Sequence, residues 1–462
     1  MRRFGALAPL RHRGVRLLAG GQLASNVGDA VYSVALPWYV LATHGGVLLL
    51  GTVLAAYGIP RTVLVAVGGH ASDRFKPWTV MMVADAVRAL AVGALGATAA
   101  FGPARAALLV PIAVVLGVGE GLFLPSSFAI VPTLVPDEDL QAGNSLTSAG
   151  TQLATLVGPA LGGAAVALVG PSSGFAIDAG TFVVSALTLL GVRRHQQIAT
   201  NASARVEEVA VGPGAIGVEL RDDLHGEVAG ALPPAGKSSG ACASSGRRLT
   251  LRRVLASERA LLVVYVVVFA ANLGSGGLGE VALPALAHGP LHTGADGYGG
   301  LLAAFGAGAL TGTLLAAQVR RLRRPTMTVA RVLLAGAVVI AVSPYLGNAV
   351  ALGAGLAVFG GLSGFGSVIS ITTLQRRLPR ALLGRLMGLL MLCSFGTFPV
   401  SVVLGGVVVR SLGPAAFFPI TGGLLALAIL GGLSQKAWRQ FGATEHEPED
   451  LHRALAADHA QI

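Results

Sequence analysis

The sequence predicts an all-α integral membrane protein of about twelve transmembrane helices, arranged as two like-oriented six-helix halves. Three observations predict it. The 462 residues are 53% hydrophobic and only 12% charged, where soluble domains carry roughly 25% charge. Apolar runs near the length needed to cross a bilayer recur along the chain between short polar breaks. Finally, ASNVGDAVYSVALP at Ala24 to Pro37 returns as AANLGSGGLGEVALP at Ala270 to Pro284 with one residue inserted.

In chain order the runs fall near 15 to 41, 47 to 69, 79 to 101, 104 to 134, 140 to 170 and 172 to 192. A second set follows near 257 to 287, 297 to 318, 326 to 346, 348 to 374, 385 to 411 and 414 to 435. The first run follows a basic segment (Arg2, Arg3, Arg11, Arg13, Arg16) but is long and carries Asp29, so it reads as a retained helix rather than a cleaved leader. Between the second and third runs lies a charged hinge, Gly68 to Arg88, where Pro77 suits the first turn of the next helix. Pro77 and Thr79 answer to Pro325 and Thr326, and VPDEDL at Val135 to Leu140 answers to LPRALL at Leu378 to Leu383, all at an offset near 245 residues. The expected organisation is an N-terminal half over 1–193, a disordered linker over 194–256, a C-terminal half over 257–436 and a tail over 437–462.

Arg and Lys gather on alternate connections: the N-terminus, Arg74 with Lys76, Arg193 with Arg194, Arg247 to Arg253, Arg320 to Arg324, Arg376 to Arg385, and Lys436 with Arg439. The opposite connections hold little beyond Arg105 and Arg410. By the positive-inside rule both termini and the linker are cytoplasmic, in a bacterial-type plasma membrane. That distribution also accounts for the net charge of +11 without invoking nucleic acid. Cys242 and Cys393 support neither a disulfide framework nor a zinc site. GKSS at Gly236 to Ser239 lacks the earlier glycine and the strand of a phosphate loop. No nucleophile triad, cofactor motif or metal constellation appears, so no enzyme and no cofactor is expected.

Ionisable groups inside spanning helices are costly and by default face a cavity or a partner. Gln22, Ser25, Asp29, Tyr32 and Ser33 follow one another at helical spacing and form a polar stripe. Asp29 lies about 18 Å from the inner end of its helix at 1.5 Å per residue, near mid-membrane. It is the first candidate for proton coupling, the alternative being a fixed ion pair with Arg61. Glu120, between Gly119 and Gly121, is the second candidate, with structural pairing as its alternative. Asp178 and Glu280 lie nearer the outer side, where they can snorkel to water. Asp73, Arg74, Asp85 and Arg88 are assigned to the inner surface, and Gly158, Pro159, Gly162 and Gly163 to close packing of the fifth helix.

Several of these stretches together resemble the major facilitator superfamily. The hinge Gly69-x-x-x-Asp73-Arg74 is similar to that family's signature loop, and ATLVGPALGG at Ala154 to Gly163 to a fifth-helix motif of its exporters. SNVGDA, SDRF with ADAVRA, AIVPTLVPDEDL and LPRALLGRLMGL resemble the branch holding macrolide-efflux proteins and enterobactin exporters. The resemblance implies the major facilitator fold and a cytoplasmic gate at Gly69, Asp73, Arg74, Asp85 and Arg88. Where many proton-coupled drug exporters of the family carry a fourth-helix Arg, Glu120 stands instead. The expected function is proton-driven export of a hydrophobic small molecule by a monomer in the lipid bilayer, giving multidrug or macrolide resistance. A siderophore or other dedicated metabolite exporter is the first alternative, and a non-transporting sensor or scaffold the second. An importer of anions is disfavoured because Arg61 is the single cavity cation that the sequence reveals.

Overall fold

The computed structural model describes residues 11–67, 75–134, 140–211, 259–319, 324–377 and 392–440, with 322, 389 and 390. These are helical almost throughout. The first six helices are α1 (Arg13–Ala42), α2 (Gly46–Val67), α3 (Pro77–Phe101), α4 (Ala106–Ile130), α5 (Leu140–Val169) and α6 (Pro171–Val211). In the second half α7 begins as Arg259–Gly277, passes through a π-helical turn at Leu278–Ala282 and ends as Leu283–His288. Then come α8 (Gly294–Gln318), α9 (Pro325–Val342), α10 (Ala349–Arg377), α11 (Phe398–Leu412), α12 (Phe417–Ser434) and the short α13 (Lys436–Gln440).

Among the described residues, eleven helices are long and apolar enough to cross a membrane. The twelfth expected crossing is α1, whose 30 residues carry Arg13, Arg16 and the polar stripe through Asp29. Its polar side chains are tolerable because neighbouring helices cover it: Gly21 packs on Thr188, and Gly28 on Thr181 and Asp178 of α6. The π-helical turn of α7 lies where the internal repeat has its extra residue, between the Asn272-x-Gly274 and the Val281-Ala-Leu-Pro284. A helix absorbs one inserted residue as such a turn and keeps the flanking faces in register.

One expectation changes: the linker is expected to begin at 194, yet the helix α6 continues to Val211. The added stretch, RHQQIATNASARVEEVAV, is rich in Ala, Gln, Arg and Glu, which carry low helix cost, and it lacks Gly and Pro. Residues 212–258 of the linker and 441–462 of the tail lie outside the described residues. So do the hinge residues Gly69, Asp73 and Arg74, the acidic Asp137 to Asp139 and the LPRALL stretch.

Glycines set the closest approaches, as lipid-embedded packing requires. Gly158 and Gly162 seat α5 on Ala30 and Val31 of α1, while Gly163 meets Ala295 and Gly299 of α8 across the two halves. Gly299 in turn meets the Pro159 carbonyl, so the whole Gly158, Pro159, Gly162, Gly163 set is packed against other helices. Gly51 and Gly406 join α2 to α11 in the same manner. Within the C-terminal half, a methyl group at Gly308 would lie 1.9 Å from the Ala357 carbonyl oxygen of α10. Gly308→Val is therefore expected to lower both folded yield and Tm in detergent, whereas Gly300→Ala, which faces open space, leaves them unchanged. An unaltered Tm in Gly308→Val would refute this packing.

Candidate functional site

A cavity of about 230 Å³ opens in the N-terminal half at the boundary between the halves. Asp29, Tyr32 and Ser33 reach it from α1, Tyr57 and Arg61 from α2, Arg88 from α3, Glu120 from α4 and Asp178 from α6. Glu280 enters from the π-helical turn of α7 and Phe398 from α11, so the C-terminal half supplies part of the wall. The sequence candidates Asp29, Glu120, Arg61, Tyr32 and Ser33 thus converge. Gln22 and Ser25 lie one to two turns away on α1 and do not line the cavity; Ser25 is buried.

Asp85 and Arg88, expected at the inner surface, are buried in the bundle at 0% and 2% exposure. Arg88 donates through Nη2 to Asp85, one turn away, and through Nη1 to Glu120 of α4. Its guanidinium is also stacked against Phe123 and Phe182, with ring centroids 4.4 and 4.3 Å away. A buried guanidinium with two carboxylates and two aromatic faces is well compensated. Close approach of α4 makes this possible, since a Cβ at Gly119 would collide with the Arg88 side chain.

Arg61 is 3.9 Å from Glu120 and lies over the rings of Tyr57 and Phe395. Glu120 is therefore shared between two guanidiniums, while Asp29 forms no ion pair among the described residues. The fixed pair with Arg61 considered for Asp29 is made by Glu120 instead. Asp178, 1% exposed, directs its carboxylate at Gly28, and its Oδ1 has no hydrogen-bond partner. Glu280 faces the same space rather than the outer surface. The Tyr298 hydroxyl of α8 donates to the carbonyls of Gly279 (3.2 Å) and Ser33 (3.4 Å) and ties the π-helical turn to α1.

Sequence reasoning placed Arg88 and Asp178 too near the surface and missed Glu280 as a cavity residue. Two signals were present: Arg88 is 11 residues beyond Pro77, roughly 17 Å along a helix. The residue inserted in the repeat marks a π-type turn beside Glu280, and such turns concentrate at functional sites.

Comparison with known proteins agrees with this architecture. Multidrug efflux pump Tap of Mycolicibacterium fortuitum is 29% identical over 202 residues, 42% of this chain and 49% of that protein. Multidrug efflux pump Tap of Mycobacterium tuberculosis is 32% identical over 183 residues, 38% of this chain and 43% of that protein. The matched stretch spans about half the length of these relatives or less. A solved POT family transporter in complex with 5-aminolevulinic acid shares the fold, with a TM-score of 0.62 at 14% identity over 92% of this chain and 96% of that one. Residues 18–399, most of the sequence, match the Major Facilitator Superfamily, and the chain belongs to that family of membrane transporters.

Proposed function

We propose that this transporter is a secondary active exporter of hydrophobic small molecules, run by proton antiport with alternating access of its two halves. One observation carries the coupling half of the reading. Four carboxylates (Asp29, Glu120, Asp178, Glu280) and two guanidiniums (Arg61, Arg88) line the cavity, and a fifth carboxylate, Asp85, pairs with Arg88. Arg88 is already engaged by Asp85 and Glu120, and Arg61 sits beside Glu120. In a bilayer interior a surplus of negative charge is expensive, and binding protons is the direct way to remove it. Asp29, on the cavity wall and without an ion pair among the described residues, is the carrier best placed to exchange a proton with water. Glu120 serves as the anchor of Arg61 and Arg88.

Glu280 links charge to movement. It belongs to the C-terminal half yet faces the carboxylates of the N-terminal half, so protonation changes the repulsion across the boundary that alternating access must open and close. With both termini cytoplasmic in the plasma membrane, the described packing of α2 on α11 and α5 on α8 is the outer closure. The gate role of Gly69, Asp73 and Arg74 remains part of this proposal for the inner side. The matched efflux pumps support an export direction and drug-like cargo. A sensor or scaffold is disfavoured because Asp29 lines the cavity and has no ion pair among the described residues.

The test is accumulation of lipophilic fluorescent drugs and macrolides in cells producing the protein, with and without a protonophore. Lower accumulation that returns to control levels with protonophore is expected. Unchanged accumulation across the panel removes drug export and favours a dedicated metabolite or siderophore cargo.

A further inference from the structure

A second cavity, of about 390 Å³, lies wholly within the C-terminal half. It is bounded chiefly by α7, α9, α10 and α12, with Trp438 of α13 at one end. It overlaps the place of the charged cavity under the internal repeat, and glycine contacts establish the register. Gly117 and Gly121 of α4 rest on the carbonyls of Tyr57 and Arg61; Gly360 and Gly364 of α10 rest on those of Phe305 and Ala309. Gly28 meets Asp178 across α1 and α6, as Gly274 meets Thr421 across α7 and α12. Phe175-Ala-Ile-Asp178-Ala-Gly180 accordingly aligns with Phe418-Pro-Ile-Thr421-Gly-Gly423. Gly119 packs on Arg88, and at the equivalent place Gly336 packs on Leu362.

This register sets neutral residues at the places of the ionisable groups of the first cavity, four of the six on the wall of the second cavity. Asp29 corresponds to Ser275, Tyr57 to Phe305, Arg61 to Ala309, Arg88 to Gly336, Glu120 to Ser363 and Asp178 to Thr421. Ser275, Phe305, Ser363 and Thr421 all line the second cavity, and no ionisable side chain does so among the described residues. The second cavity is also the roomier one, about 390 Å³ against about 230 Å³.

We propose that the C-terminal cavity is the substrate site, shaped for an uncharged, largely apolar molecule that accepts or donates a few hydrogen bonds, while its charged duplicate handles protons. This deepens the exporter reading above and rests on it. The volume falls within the range of small-molecule sites, roughly 300 to 1,000 Å³. A charged ligand would lose its hydration there and find no counter-charge. The polar groups present are amide, hydroxyl and the Trp438 indole. Asn272 commits its Nδ2 to the Val268 carbonyl and keeps its Oδ1 available, while Ser363, Ser367 and Ser370 of α10 have no protein hydrogen-bond partner among the described residues.

The test uses the full chain in lipid nanodiscs with Trp38→Phe and Trp78→Phe, so that Trp438 is the sole tryptophan. A neutral dialkylaminocoumarin serves as probe, because it accepts excitation energy from a nearby tryptophan. The same dye carrying a quaternary ammonium or a sulfonate serves for comparison. Saturable quenching of Trp438 by the neutral dye is expected, weaker by about tenfold or more for both charged dyes because of desolvation. Ser363→Phe, which fills the space, should weaken binding of the neutral dye by a similar factor. Should that variant elute as misfolded protein, Ser363→Glu reads the same site, weakening the neutral dye and strengthening the quaternary ammonium. Non-saturable quenching, wild-type affinity in a folded Ser363 variant, or loss of binding on obstructing the charged cavity with Leu54→Phe instead would overturn the proposal. Quenching without protonophore-sensitive extrusion in cells removes the exporter reading and leaves this site standing; extrusion without quenching does the reverse.

Discussion

Asp29→Asn is expected to bring protonophore-sensitive export down to the level of cells lacking the protein, with the amount inserted in the membrane unchanged. The amide preserves size and most hydrogen bonding but cannot release and rebind a proton. Because Asp29 makes no ion pair among the described residues, its neutralisation leaves no orphaned cation behind. The fold therefore tolerates a change that the coupling does not. Asp29→Glu, which keeps an exchangeable proton, should recover part of the activity. The sign of the pH dependence follows: wild-type export rises as the outer medium is acidified, since inward proton movement is the driving step, and Asp29→Asn flattens that profile. Wild-type export and pH profile in Asp29→Asn would exclude this residue as the carrier.

Arg88→Met should have the opposite signature, losing protein before it loses coupling. The guanidinium is 2% exposed and compensates Asp85 and Glu120 together. Its removal leaves two carboxylates in an apolar bundle, a loss on the order of 3–5 kcal/mol for a broken buried pair. We expect a sharply reduced folded fraction by size exclusion and a lower Tm in detergent. Neutralising the two orphaned carboxylates as well, in Asp85→Asn, Arg88→Met, Glu120→Gln, should recover part of the folded yield, the remainder staying lost because Arg61 also gives up its Glu120 partner. A wild-type Tm in Arg88→Met alone would show that the network is not structural, and Glu120 would return as a candidate carrier.

How far the sequence reaches is visible in single residues. Asp29 and Glu120 were legible as cavity groups because a carboxylate inside an apolar run is too costly to leave facing lipid. Gly158, Pro159, Gly162 and Gly163 were legible as packing residues, since small side chains at helical spacing have that use in lipid. Arg88 was not. Its neighbourhood in the sequence is a charged hinge, and the default for a charge near a helix end is orientation toward the inner surface. Glu280 also escaped, because a one-residue insertion does not announce which way the resulting turn will point a side chain.

The sequence alone determined what depends on composition and period: a membrane solvent, about twelve helices, two related halves and the short list of charges that cannot face lipid. These follow from the cost of placing polar groups in hydrocarbon, which is local to each segment. Tertiary structure alone decided which charges meet. Arg88 pairs with Glu120 across 32 residues, and Glu280 joins a cavity of the other half, because electrostatic partnership depends on distance through space. It also decided that the two halves hold overlapping cavities under the repeat, one charged and one neutral. That difference becomes visible only when glycine contacts set the two halves in register.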